Sequence, residues 1–125
     1  MKGKFRMEND DILKKIRAKF NVENNVEVDY YEHNILPFFL EAMHFKGREK
    51  NKIRHNDEVC DCIIGGKIIV RFYSHEREKK ALNELNRIID VEGYEWGILL
   101  HRQGIWLLNR DINCGDEAFT SDRIV

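Results

Sequence analysis

Asp61 interrupts an otherwise apolar run, Val59 to Ile64, and Tyr73 and His75 stand two residues apart at the end of the next apolar run. A carboxylate on one strand and titratable groups on its hairpin partner can converge on a metal ion or a phosphate, provided all face one side of the sheet. The same pattern fits a solvent-facing Asp61 with His75 opening a loop, and the residues leave both readings open. A second feature is charge. From Lys46 to His55 the chain reads KGREKNKIRH, with Lys46, Arg48, Lys50, Lys52 and Arg54 against a single acid. Four such side chains each neutralising a phosphate would give a log–log salt slope of roughly −3.6, the mark of weak, non-specific contact with nucleic acid. A solvated loop or an exposed edge strand is the plain alternative. Cys60 and Cys62 alternate away from Asp61 and read as small core residues, with a zinc site using His55 or Cys114 as the less economical reading. Trp96 and Trp106 read as core rather than as stacking platforms.

The elements that must position these groups are legible from periodicity. The chain has 125 residues, 42% hydrophobic and 34% charged, with a net charge of −1, which suits one domain and excludes a multidomain enzyme or a strongly basic protein. A first helix is expected after Asn9 or Asp10, carrying Ile12, Leu13, Ile16 and Phe20. A second runs from about Glu27 to Met43, striped by Val28, Tyr31, Ile35, Phe38, Phe39 and Ala42, with a kink or irregular turn at Pro37. Glu58 to Ile64 and Lys67 to Tyr73 form a hairpin around Gly65 and Gly66. Ser74 is the expected cap of a third helix, with Glu76 and Glu78 in its first turn, buried through Ala81, Leu82, Leu85, Ile88 and Ile89, and ended by Gly93. Strands from Tyr94 to Leu100 and Ile105 to Asn109 follow. Residues 1–8 read as a flexible start and 111–125 as an irregular tail. No apolar run reaches the roughly 18 residues of a membrane span, the start lacks an apolar signal core, and three cysteines suit a reducing compartment, so a cytoplasmic setting without membrane association is expected.

Taken in order, ILPFFLEAMHF (Ile35 to Phe45), NDEVCDCIIGGKIIVRFYSH (Asn56 to His75), a helix, and GYEWGILLHRQGIWLL (Gly93 to Leu108) resemble the N-terminal nuclease domain of type I restriction enzyme R subunits, in the PD-(D/E)XK superfamily. The resemblance spans Val26 to Arg110. It implies an α/β restriction-endonuclease-like core, a mixed sheet of four to five strands flanked by helices, in a single domain that is the N-terminal part of a longer protein. It places the family's helix glutamate on Glu27 and its first catalytic carboxylate on Asp61. The E-x-K motif falls on Tyr73-Ser74-His75, or on Arg71-Phe72-Tyr73 if the gap moves by two residues.

Neither placement restores a glutamate and a lysine. In that family two strand carboxylates hold Mg²⁺ and the lysine helps activate water, so their loss implies an inactive nuclease fold that binds nucleic acid or a protein partner, in a restriction, phage-defence or mobile-element setting and without a cofactor. Tyrosine, with a phenol pKa near 10, is a poor Mg²⁺ ligand at neutral pH. Two further readings stay open. Glu27, Asp61 and His75 would make a two-carboxylate, one-histidine set acceptable to Mn²⁺, or less so Mg²⁺, in an active endonuclease, with Glu76 or Glu78 and Lys80 as a weaker substitute. Alternatively, the chain forms a homodimer or a regulatory assembly with no DNA involved.

Overall fold

The computed structural model describes residues 14–16, 18–20, 26–44, 51–102, 104–109 and 120–123. The expected start and cap of the first helix, Lys46, Arg48, Lys50 and Cys114 lie outside the described residues. Helix α1 comprises residues 14–16 and 18–20 and buries Ile16 and Phe20. One helical rod then runs through α2 (Val28–Tyr30), a π-helical turn (Tyr31–Ile35) and α3 (Leu36–Ala42). Helix α4 is Glu78–Glu92. The strands are β1 (Lys52–His55), β2 (Val59–Ile64), β3 (Ile68–Tyr73), β4 (Trp96–His101), β5 (Gly104–Asn109) and β6 (Thr120–Arg123). They form one six-stranded sheet in sequence order. All neighbours are antiparallel except β3 and β4, which run parallel because α4 carries the chain back between them.

The irregular turn expected at Pro37 lies just ahead of it. Proline offers no N–H to the carbonyl four residues back and its ring crowds that carbonyl. The chain widens instead, with the Leu36 N–H bonding to the Tyr31 carbonyl five residues earlier. The extra residue in that turn advances the buried face, so Leu36, Phe39 and Leu40 are buried while Phe38 and Ala42 are only partly covered.

Gly65 and Gly66 both take positive φ, +59° and +72°, and the Lys67 N–H reaches the Ile64 carbonyl at 3.1 Å, as the tight hairpin requires. Helix α4 begins later than expected. Arg77 occupies its N-cap without a side-chain cap bond, whereas the Ser74 N–H is held by the Glu58 carbonyl at 2.9 Å, so Ser74 is not the cap. The helix does end at Gly93, whose N–H bonds to the Ile89 carbonyl at 3.0 Å. Gly97 on β4 allows a close approach: a Cβ there would lie 2.3 Å from Ile89 Cδ1, so the absent side chain lets α4 rest on the sheet.

The sheet is covered on both faces. Cys60, Cys62, Val70, Phe72, Ile98, Leu100 and Ile105 meet Ile16, Phe20, Tyr31, Ile35 and Phe39 from the helices on one side. Ile63, Ile69, Tyr73, Leu99 and Leu108 meet Ala81, Leu85, Ile88 and Ile89 of α4 on the other. That explains why the central strands read as nearly continuous apolar runs. The sheet has one strand more than the expected four to five: β1 is the exposed edge strand that the basic segment allowed, and β6 lies within residues expected to be an irregular tail. The sequence TSDR has no apolar alternation, and pairing to β5 through backbone groups needs none. None of the helices among the described residues is long and apolar enough to cross a membrane.

On the helical face the Phe72 ring stacks on Tyr31, centroids 4.1 Å apart and planes 8° from parallel. The Tyr31 hydroxyl is buried without a hydrogen-bond partner among the described residues, and burial pushes its pKa well above the ordinary phenol value. Tyr31→Phe keeps the stack and removes the orphaned group. It should raise stability by about 1 kcal/mol, measured as a higher urea midpoint at unchanged slope; a lower midpoint would show that the hydroxyl is bonded in solution.

Candidate functional site

Asp61 is opposite Arg71 in the β2–β3 register, and the two side chains join on the α4 face. Arg71 donates through Nε to Oδ1 at 2.6 Å and through Nη2 to Oδ2 at 2.7 Å, a bidentate pair that occupies both carboxylate oxygens. Both groups are largely removed from solvent, with side-chain exposures of 6% for Asp61 and 12% for Arg71. The remaining Arg71 nitrogen, Nη1, donates to the Tyr73 hydroxyl at 2.7 Å, and that hydroxyl donates to Glu84 Oε1 on α4 at 3.0 Å. From the edge strand, Arg54 Nη2 lies 3.7 Å from Asp61 Oδ2 and the same distance from Glu92 Oε1. The result is a chain of charges linking β1, β2 and β3 to α4.

Protonation follows from these contacts. Burial acts to lower the Arg71 pKa, but hydrogen bonds and charge from Asp61, with a smaller contribution from Tyr73, outweigh it and leave it raised, so the guanidinium is permanently charged. Burial pushes Tyr73 up to about 12, partly offset by Arg71 and reinforced by Glu84, so it is a neutral phenol at physiological pH. Cys60 and Cys62 are pushed up to about 12 and about 11, in each case mainly by burial. They are free thiols in the core, which agrees with the expectation that they pack rather than react.

The candidate set Glu27, Asp61 and His75 is only half assembled. His75 Nε2 lies 3.7 Å from Glu27 Oε2, so these two meet on the side of the sheet that carries α1 to α3. Asp61 faces α4 instead, and no group of three or more His, Cys, Asp or Glu side chains that could hold a metal forms among the described residues. The residues therefore do not fit a divalent cation: both oxygens of Asp61, the buried carboxylate among the described residues, are taken by Arg71, and its expected partners lie across the sheet. Tyr73 does share the face of Asp61, whereas β3 ends at Tyr73 and His75 leaves with the loop. Of the weaker substitute, Glu78 is engaged elsewhere, whereas Glu76 and Lys80 meet each other without a second carboxylate beside them among the described residues. Glu78 accepts the Trp106 indole N–H at 2.5 Å, and Glu76 pairs with Lys80 at 3.9 Å.

Of the basic segment, Lys52 is exposed on β1 while Arg54 is half exposed and shared between Asp61 and Glu92. His55 is bonded to Glu32 of the π-helical turn, fastening the edge strand to the helices. A depression of about 190 Å³ beside the Asp61–Arg71 pair is lined by Arg54, His55, Asn56 and Val59 as well as by the pair. Trp106 packs against the α4-side core and Trp96 is half-buried. The residues that sequence reasoning passed over are Arg71, taken only as a misplaced motif position, and Glu84, one of several acids on a polar helix face. Comparison with protein-family models, with curated proteins and with solved structures finds no match to this chain.

Proposed function

We propose that the chain is a restriction-endonuclease-like module, resembling the N-terminal domain of type I restriction R subunits, that no longer cuts and acts in the cytoplasm by binding nucleic acid. The observation that carries the reading is the bidentate Asp61–Arg71 pair: the strand carboxylate is held by a fixed internal cation. Two further features support it. The order of α3, the β2–β3 hairpin, α4 and the β4–β5 hairpin is that of the segments on which the resemblance rests. The shallow depression at Arg54 offers a half-exposed guanidinium next to the basic stretch that leads into β1.

The test pairs cleavage with binding. Purified chain incubated with plasmid and single-stranded DNA in Mg²⁺, and separately in Mn²⁺, should leave both intact, while binding should weaken with salt at a slope of roughly −3 to −4. Cleavage that an Asp61→Ala variant abolishes would restore the active-endonuclease reading. A second reading, a protein-interaction module, draws on β1: it is an edge strand exposed at all four residues, Lys52 to His55, and an edge can take an added strand. Salt-insensitive dimerisation with no DNA binding at low salt would favour that reading.

A further inference from the structure

We infer that the open edge of β1 receives an extended segment of another protein, added as an antiparallel strand, with an apolar side chain opposite Ile53 and a carboxylate opposite Lys52. The inference rests on the protein-interaction reading and is independent of nucleic-acid binding. β1 ends the sheet, so one side of its backbone is bonded to β2 and the other faces out. Two hydrogen bonds fix which residues face which way. The Asn56 N–H reaches the Val59 carbonyl at 3.0 Å, and the Ser74 N–H reaches the Glu58 carbonyl at 2.9 Å. Bonded and unbonded pairs alternate along an antiparallel ladder. Followed from either bond, the ladder turns the backbone groups of Cys60 to β3, pairs Asp61 with Arg54, and leaves the N–H and C=O of Ile53 and His55 pointing at the open edge.

The side chains of this edge decide what the added strand carries. Ile53 shares the helical face with Cys62 yet is 44% exposed, and an apolar side chain opposite it would cover it. Lys52 and Arg54 lie on the α4 face. Arg54 is already shared between Asp61 and Glu92, whereas Lys52 has no acid partner among the described residues, so the unmatched charge is at Lys52. The His55 ring is bonded to Glu32, which holds that end of the strand in place. A second copy of the chain suits this edge poorly. Residues directly opposite share a face, so the registers that overlap three of the four β1 residues are centred on Ile53 or on Arg54. The first sets Lys52 against Arg54 of the other copy twice, and the second sets Arg54 against Arg54. Like charges directly opposite are destabilising. A different chain supplies the carboxylate: read from its amino end, it places a small polar residue opposite Arg54, then the apolar residue, then the acid.

The experiment titrates the full chain with the acetylated and amidated peptide Thr-Ser-Val-Glu-Thr while following backbone amide shifts. Saturable change should centre on Ile53 and His55. Methylating the valine nitrogen of the peptide removes the N–H that meets the Ile53 carbonyl and should weaken binding about tenfold. Methylating the glutamate nitrogen, which faces away from β1, should weaken it much less. Lys52→Glu should weaken the peptide about fivefold, and a peptide with lysine in place of glutamate should recover that loss on the variant. Absence of saturable shifts at β1, or equal binding of the two methylated peptides, would overturn the inference. Concentration-dependent dimerisation through β1 that excludes the peptide would also overturn it, while leaving a protein-interaction module. Shifts at β1 from single-stranded DNA and none from the peptide would overturn both.

Discussion

Arg71→Ala should destabilise the fold by about 3–5 kcal/mol, because it strands the Asp61 carboxylate in a site that water barely reaches. The carboxylate is 6% exposed, its two oxygens lose both short hydrogen bonds, and Arg54 at 3.7 Å is too distant and too solvated to replace them. The Tyr73 hydroxyl loses its donor in the same step. For a domain of this size, melting should fall by roughly 10–20 °C. The cost is that of an uncompensated buried charge rather than of a lost attraction, and this distinction is testable. Replacing both partners with apolar residues of similar volume, Asp61→Leu with Arg71→Met, should recover most of the loss, as buried ion pairs generally allow. Thermal and urea denaturation of the single and double variants decide the matter; a double variant no better than Arg71→Ala alone would mean that the pair is needed for more than charge balance.

The second large effect is expected on the opposite face. Phe72 is 2% exposed and forms a three-ring cluster with Tyr31, 4.1 Å away, and Phe20, 5.8 Å away, which are themselves 6.4 Å apart, so it joins the sheet to both helices at once. Phe72→Ala removes a ring's worth of contacts and leaves a cavity that neighbours fixed on separate elements cannot close, at a cost of about 3–5 kcal/mol. Phe72→Leu should cost about 1–2 kcal/mol because most of the volume is kept. Since total stabilities of such domains are about 5–15 kcal/mol, the alanine variant should be partly unfolded at 37 °C. Equal urea midpoints for the leucine and alanine variants would show that the aromatic stack, rather than the filled volume, carries the energy.

The local patterns were strong enough to specify elements one at a time. The stripe Ala81, Leu85, Ile88 and Ile89 defines α4, Gly65 and Gly66 define a hairpin, and the apolar density of VCDCII and IIV marks strands buried on both faces. Pro37 announced an irregularity whose nature, a widened turn one step upstream, depended on which carbonyl could still find a donor. β6 was silent because an edge strand paired through backbone groups needs no apolar pattern.

The candidate site turned on a single residue of register. If the turn held only Gly65 and Gly66, Ile64 would be opposite Lys67 and Asp61 opposite Val70. Instead Lys67 joins the turn, its carbonyl accepting the Glu95 and Trp96 N–H groups from the start of β4 at 2.9 and 3.2 Å, and Asp61 is brought opposite Arg71. Because side chains alternate between the two faces of a strand, a slip of one residue exchanges every neighbour. The amino-acid order by itself determined that a carboxylate and a tyrosine stand on paired strands, and what charge and apolar content surround them. That Asp61 meets an arginine rather than a metal-binding partner belongs to the tertiary structure, in which backbone donors at the start of β4, more than twenty residues away in sequence, hold the Lys67 carbonyl in the turn and β3 begins at Ile68.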